Sequence, residues 1–256
     1  MQMGQSFMKI AVVSDIHGNV LALEAVLADL TGEAPDVVVN LGDCVSGPLW
    51  PEETAAILRE TRWPTVRGNH DRIVLESPKE KMGPTDSFAA DRLSRQSLDW
   101  LKTTQPTIRL SDDVFLCHGT PDNDDRYLTE KVEGPKGHLP DEETLIAELM
   151  GESSSIICCG HTHIPRVIHL HESGQTILNP GSVGLPSYED DHPNRHTMEV
   201  GSPHARYALM TKGTSGWSFQ EKILPYDWEA AALEAEKNKR PGWGRSLRRG
   251  FYGPLS

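Results

Sequence analysis

No apolar run in this chain approaches the length needed to cross a membrane, and residues 1–8 carry neither the basic start nor the apolar stretch of a secretory signal. Both absences make the cytoplasm the expected compartment. Cysteine is scarce as well. Cys44, Cys117, Cys158 and Cys159 show no zinc-finger spacing and no disulfide framework, which suits a reducing environment. Cys117, Cys158 and Cys159 end apolar runs, where a thiol behaves as a small hydrophobe. Basic charge is also in deficit, with 25 Lys and Arg against 37 Asp and Glu and a net charge of -12. That argues against a protein built mainly to coat nucleic acid, which needs a dominant basic surface. A phosphate would have to be met locally, and bound divalent cations are groups that reverse the local field of an acidic chain.

With 256 residues, the chain is near the upper limit of what one core can serve, so one large domain is favoured over two small ones. We expect an N-terminal extension at 1–8, a domain at 9–239 and a basic, aromatic tail at 240–256. Lys9 to Ser14 reads as a strand, followed by a helix with apolar residues at Val20, Leu23, Leu27 and Leu30. The unit repeats. Asp36 to Asn40 is a second strand, and Pro51, Glu52 and Glu53 open a helix through about Arg59. A short strand is expected at Thr65 to Arg67, helices between about Thr85 and Lys102, and a strand at Val114 to Cys117. A helix after Asp141 and a strand at Ile156 to Cys159 follow. The remainder reads mostly as strands, Arg166 to Leu170, Thr176 to Leu178, Arg206 to Met210 and Trp217 to Leu224, with a final helix after Asp227. Two long stretches, Pro121 to Pro140 and Leu185 to Ala205, read as irregular, and loops of that length are often functional.

Nearly all the metal-capable side chains of interest fall in five polar clusters that follow apolar runs: Asp15 and His17, Asp43, Asn69 and His70, His118, and His161 with His163. Residues two apart in an extended chain point the same way. Asp15 and His17 can therefore meet one ion, and His161 and His163 can face one pocket. Gly42 permits close backbone approach beside Asp43, whose two oxygens can bridge two cations. Such a pair of cations neutralises phosphoryl charge and lowers the pKa of bound water towards about 7. Mixed imidazole and carboxylate ligands suit Mn, Fe, Zn, Co or Ni better than calcium.

In order along the chain, Asp15-Ile16-His17, Gly42-Asp43, Gly68-Asn69-His70-Asp71, His118-Gly119 and Gly160-His161-Thr162-His163 resemble the motifs of the calcineurin-like metallophosphoesterases, particularly their small bacterial phosphodiesterases. The resemblance implies an α/β fold, a four-layer α/β/β/α sandwich of two mixed sheets. It implies one metal held by Asp15, His17 and His163, a second held by Asn69, His118 and His161, and Asp43 bridging them. His70 would act as electrostatic stabiliser or general acid, with Asp71 as an orienting partner. The reaction implied is hydrolysis of a small phosphodiester or phosphomonoester by a metal-bound hydroxide.

Two other readings share these residues, a non-catalytic metal-binding scaffold and a Ser/Thr protein phosphatase. Scaffolds tend to lose ligands, and here all seven are present. The protein phosphatases carry a phosphate-clamping arginine soon after the Gly-Asp pair, and Cys44 to Pro48 contains none. Arg67 and Arg72 flank the Asn69 cluster and either compensate or form surface ion pairs. Asn179-Pro180-Gly181 reads as a supporting turn. Of the remaining histidines, His138, His169, His171 and His204 read as solvated, and His192 and His196 lie on a candidate lid. The tail holds Trp243, Phe251 and Tyr252 among arginines; it either packs on the protein or stacks on nucleic acid, with packing favoured.

Overall fold

The computed structural model describes residues 8–253, so the sequence 1–7 and the last three residues lie outside the described chain. Its elements run β1 (Met8–Val13), α1 (Val20–Glu33), β2 (Val37–Asn40), α2 (Pro51–Thr61), α3 (Asn69–Glu76), α4 (Pro84–Ala90) and α5 (Arg95–Leu101). Next come β3 (Ile108–Arg109), β4 (Val114–Leu116), β5 (Lys131–Val132), β6 (Gly137–His138), α6 (Glu142–Glu148) and β7 (Ile156–Cys158). The chain continues through β8 (Arg166–His169), β9 (Thr176–Asn179), β10 (Ser187–Asp190), β11 (His196–Glu199), β12 (Ala205–Gly213), β13 (Gly216–Leu224), α7 (Trp228–Lys237) and α8 (Pro241–Arg249).

Strands apolar on both faces dictate the layering. In β1, Ile10 and Val12 point one way and Ala11 and Val13 the other, and all are fully buried. One sheet has the order β13-β12-β1-β2, with β1 parallel to β2 and antiparallel to β12. The other has the order β3-β4-β7-β9-β8, with β4, β7 and β9 parallel. Ile10, Val12, Val39 and Met210 of the first sheet pack against Val114, Leu116, Ile156 and Leu178 of the second. On the outer face of the first sheet, Ala11, Val13, Tyr207 and Leu209 meet Leu23 and Val26 of α1 and Leu58 of α2. On the outer face of the second, Phe115, Ile157 and Ile177 meet Leu145 of α6. The result is an α/β/β/α sandwich of two mixed sheets. Among the described residues, no helix is long and apolar enough to cross a membrane.

Local chemistry sets the helix starts. The side chains of Asn19, Ser94, Asp141 and Asp227 each accept from a backbone N–H in the first turn, and α2 begins on Pro51 followed by two acids. Several expectations are corrected. Thr65 to Arg67 makes only isolated bridges, Thr65 to Asn40 and Val66 to Gln105. Asn69–Glu76 is helical, with Asp71 accepting from the N–H of Gly68 at its start. The stretch 185–205 is not irregular: β10 and β11 pair antiparallel, while β5 and β6 form a short ribbon in 121–140. These strands lack strong apolar alternation, and contacts distant in sequence order them, including Ser187 Oγ with Ser246 Oγ at 2.7 Å.

Candidate metal centre

Asp15 and His17 follow β1, Asp43 follows β2, His118 follows β4, His161 and His163 follow β7, and Asn69 opens α3. Ligands outside the carboxyl ends of parallel strands occupy the usual functional crevice of an open α/β sheet. The backbone there is not extended. Asp15, His17, Asp43, His161 and His163 have φ of 55°, 52°, 53°, 68° and 59°, in the left-handed region. Each such residue costs roughly 1–3 kcal/mol and persists only where its surroundings impose it. Loop-to-loop hydrogen bonds do so here: Asp15 N donates to Gly42 O at 3.0 Å, His17 N to Asp43 O at 2.9 Å, and Gly184 N to Asp15 O at 3.0 Å.

Two side-chain clusters result. In each, the candidate ligand atoms lie within 4.8 Å of one another: Asp15, His17 and His163 in one, Asp43, His118 and His161 in the other. His161 and His163 therefore border one cavity but join different clusters. Asn69 Oδ1 sits 3.1 Å from His118 Nε2, oriented by its own Nδ2, which donates to Asp125 Oδ1 at 3.0 Å. Asp43 stands between the clusters, with Oδ2 3.8 Å from His17 Nε2 and 3.3 Å from His118 Nε2. Its Oδ1 accepts from the backbone N–H of His70 at 3.0 Å.

The donor set fits metal ions. Nδ1 of His17, His118 and His163 each faces a carbonyl, of Ser46 at 2.8 Å, Leu41 at 2.8 Å and Leu185 at 2.7 Å. A carbonyl only accepts, so each Nδ1 carries a proton and each ring turns its Nε2 inward, the atom through which it would bind a metal ion. His17 Nε2 and His163 Nε2 approach to 3.1 Å, and the adjacent Asp15 Oδ1, 3.3 Å from His163 Nε2, is buried with no hydrogen-bond partner among the described residues. Converging acceptors without a donor call for a cation. Burial alone would raise the Asp15 carboxyl, but His163 and His118 outweigh it and hold it at about 2. Burial and His163 lower His17 to about 4, and burial and His118 lower His161 to about 4. Burial would also lower His118, yet Asp43 raises it to about 10; a metal ion would compete with that proton for the same lone pair.

His70 Nδ1 lies 2.7 Å from Asp86 Oδ1, which also accepts from Ser46 Oγ at 2.6 Å. Burial opposes protonation of His70, but Asp43 and Asp86 prevail and raise it to about 9. The partner of His70 is thus Asp86, not the expected Asp71. Asp71 turns away and accepts from Cys44 N at 3.0 Å and Gly68 N at 3.1 Å, and burial together with Asp43 pushes it up to about 7. Nothing in the sequence singled out Asp86, which sits in the first turn of α4.

Glycine is required at two contacts of the site. A Cβ on Gly68 would fall 2.1 Å from Asp43 Oδ1, and one on Gly160 would fall 2.8 Å from Asp15 Oδ2. Asn179 braces the His161 loop, donating to Gly160 O at 2.8 Å and Thr162 Oγ1 at 3.0 Å. The sequence reading missed Tyr127 and Tyr188, whose rings lie 4.7 Å from His161 and 4.6 Å from His163. Their only signal was their place in the two long stretches. His196 is buried behind Tyr127, with Nε2 3.1 Å from its hydroxyl, and His192 borders a neighbouring cavity beside Asn69 and His70. Arg72 pairs with Asp124 at 2.7 Å and Arg67 with Glu76 at 3.4 Å. A cavity of about 470 Å³ is bordered by His17 and His163 of one cluster, Asp43 and His161 of the other, and His70, Tyr188, Trp243 and Tyr252.

Residues 8–206 match the calcineurin-like phosphoesterase superfamily domain. An uncharacterized protein of Methanocaldococcus jannaschii is 27% identical, across 91% of this chain and 94% of that protein. The crystal structure of a metallophosphoesterase from Sphaerobacter thermophilus shares the fold with a TM-score of 0.72 at 22% identity, covering 95% of this chain and 99% of that one. A hypothetical protein from Pyrococcus horikoshii also reaches 0.72, at 15% identity, covering 96% of this chain and 100% of that one. With the matched stretch taking in every strand-end loop that carries a candidate ligand, this chain belongs to the calcineurin-like phosphoesterase superfamily.

Proposed function

We propose that the protein is a dinuclear-metal phosphoesterase that hydrolyses small phosphodiesters or phosphomonoesters. The observation that carries this reading is the convergence of Nε2 lone pairs on the partnerless Asp15 Oδ1, with Asp43 placed between the clusters. Asp15, His17 and His163 would hold one ion, Asn69, His118 and His161 the other, and Asp43 both. Mn, Fe, Zn, Co and Ni suit this ligand set. When bound, such a pair supplies phosphoryl charge neutralisation and activates water. His70, kept protonated by Asp43 and Asp86, borders the cavity and presents its free Nε2–H to the leaving oxygen. Asp71 shapes the two loops that flank Asp43 by accepting from the N–H groups of Cys44 and Gly68. Free, buried cysteines support a cytoplasmic setting.

The test is metal content together with hydrolysis of p-nitrophenyl phosphate and bis-p-nitrophenyl phosphate, with and without Mn2+, on wild type and Asp43→Ala. We expect Mn2+-dependent turnover that falls at least about 100-fold in Asp43→Ala, with loss of bound metal. A metal-loaded wild type inert on both esters would refute catalysis and favour the scaffold. Preferential turnover of phosphopeptides would favour a protein phosphatase.

A further inference from the structure

Trp243 and Tyr252 border the cavity that holds His17, Asp43 and His70. Neither belongs to the stretch shared with the superfamily domain, which ends at residue 206. Helix α8 brings them in. Leu247 is buried beside Ala231, Ala232 and Ala235, Arg248 pairs with Glu229 and Glu236, and Ser246 Oγ contacts Ser187 Oγ at 2.7 Å. The Trp243 ring stands edge-on to His17, with centroids 5.9 Å apart and planes at 81°. Gly47 leaves room for it, since a Cβ there would lie 3.1 Å from Trp243 Cη2. Tyr252 is anchored by its N–H, which donates to Glu199 Oε1 at 3.0 Å. Both rings remain half-buried, neither enclosed in the core nor free of the protein. A large apolar plane is thus held beside a candidate metal ligand.

Apart from His70, the charge around it is acidic. Among the described residues no Lys or Arg borders this cavity, whereas four acids do: Asp86, paired with His70, Glu189, paired with Arg195 at 2.9 Å, and Asp190 and Asp191. The arginines around the adjoining cavities are tied to carboxylates: Arg72 to Asp124 at 2.7 Å, Arg67 to Glu76 at 3.4 Å, and Arg126 to Glu148 at 3.0 Å. A phosphate placed away from the metal clusters would therefore meet carboxylates rather than cations.

Building on the phosphoesterase reading above, we propose that Trp243 and Tyr252 form a stacking wall for a planar aromatic arm of the substrate, and that the substrate is a phosphodiester with no negative charge beyond its one phosphate. The acidic border accepts hydrogen bonds from hydroxyl and amino groups on that arm and repels further phosphates. Specificity then resides in the C-terminal segment, and hydrolysis in the strand-end loops.

Two methyl diesters of equal charge test this on Mn2+-loaded protein: adenosine 5′-(methyl phosphate) and glycerol methyl phosphate, with phosphomonoester release followed by 31P NMR. Wild type should prefer the adenosine ester. In Trp243→Ala the ratio of the two kcat/KM values should fall about tenfold, through KM, and in Trp243→Phe it should stay near wild type. Diadenosine tetraphosphate, with the same ring and more charge, should be a poorer substrate than the adenosine diester. An unchanged ratio in Trp243→Ala, or a preference for the tetraphosphate, overturns the proposal. If wild type turns over neither diester yet hydrolyses p-nitrophenyl phosphate, the phosphodiester assignment is overturned; if it is inert on the nitrophenyl esters as well, the phosphoesterase reading fails, and equilibrium dialysis with adenosine 5′-(methyl phosphate) still decides the wall. Binding about tenfold weaker in Trp243→Ala supports it, and equal binding overturns it.

Discussion

One added methyl group at residue 68 should disable the centre without replacing a candidate ligand. A Cβ on Gly68 would lie 2.1 Å from Asp43 Oδ1, 2.5 Å from its backbone N and 2.8 Å from its Cγ. Ordinary contact lies at roughly 3.5 Å, so Asp43 and residue 68 must separate by more than about 1 Å. Asp43 has little freedom to yield, being buried, bonded to His70 N and close to His118 Nε2. A displacement of about 1 Å at a reacting centre can cost on the order of 100-fold in rate. Overpacking of this kind destabilises by roughly 1–3 kcal/mol. The assay is bound Mn2+ after dialysis, kcat/KM on bis-p-nitrophenyl phosphate, and urea unfolding for Gly68→Ala. Gly32→Ala makes the same chemical change in α1, where a Cβ meets nothing within 4 Å. It should stabilise by roughly 0.5–1 kcal/mol and leave turnover intact. Gly68→Ala that binds Mn2+ and turns over within about threefold of wild type would refute the reasoning that Asp43 must bridge from this position.

The pH profile should report on Asp86. His70 is raised from 6.5 to about 9, so its proton is available at neutral pH and lost as pH rises through about 9; its contribution to stability is likewise full below 6.5 and fades over that window. Asp86→Asn removes one of the carboxylates that raise it, so the alkaline limb of kcat/KM should move to lower pH, and an unmoved limb would exclude the pairing. Asp71→Ala should instead strand the N–H groups of Cys44 and Gly68, lowering stability by about 1–3 kcal/mol in urea unfolding while leaving that limb in place. A shifted limb would restore Asp71 as the partner of His70.

Apolar runs such as Lys9 to Ser14 and Val114 to Cys117 were legible as strands because their neighbours on both faces are apolar, so one local pattern suffices. The hairpin of β10 and β11 was not. Its residues are largely polar, and packing of Ser187, His196 and Met198 against distant segments orders it. The ligand-capable residues were legible as types, but the geometric reason offered for Asp15 with His17, and for His161 with His163, assumed an extended chain. The strands end at Val13 and Cys158, and positive φ at Asp15, His17, His161 and His163 replaces the two-residue alternation.

The sequence by itself determined the alternation of strands and helices in the first half, the chemical identity of the metal-capable side chains and their spacing in the chain, since these follow from local pattern and composition. Tertiary structure alone decided which side chains meet. The pairing of Asp86 with His70, the turning away of Asp71, and the arrival of Trp243 beside His17 join residues separated by 16 to 226 positions. No local rule encodes such contacts, because each depends on how the two sheets and the helices outside them bring their loop ends to a common rim.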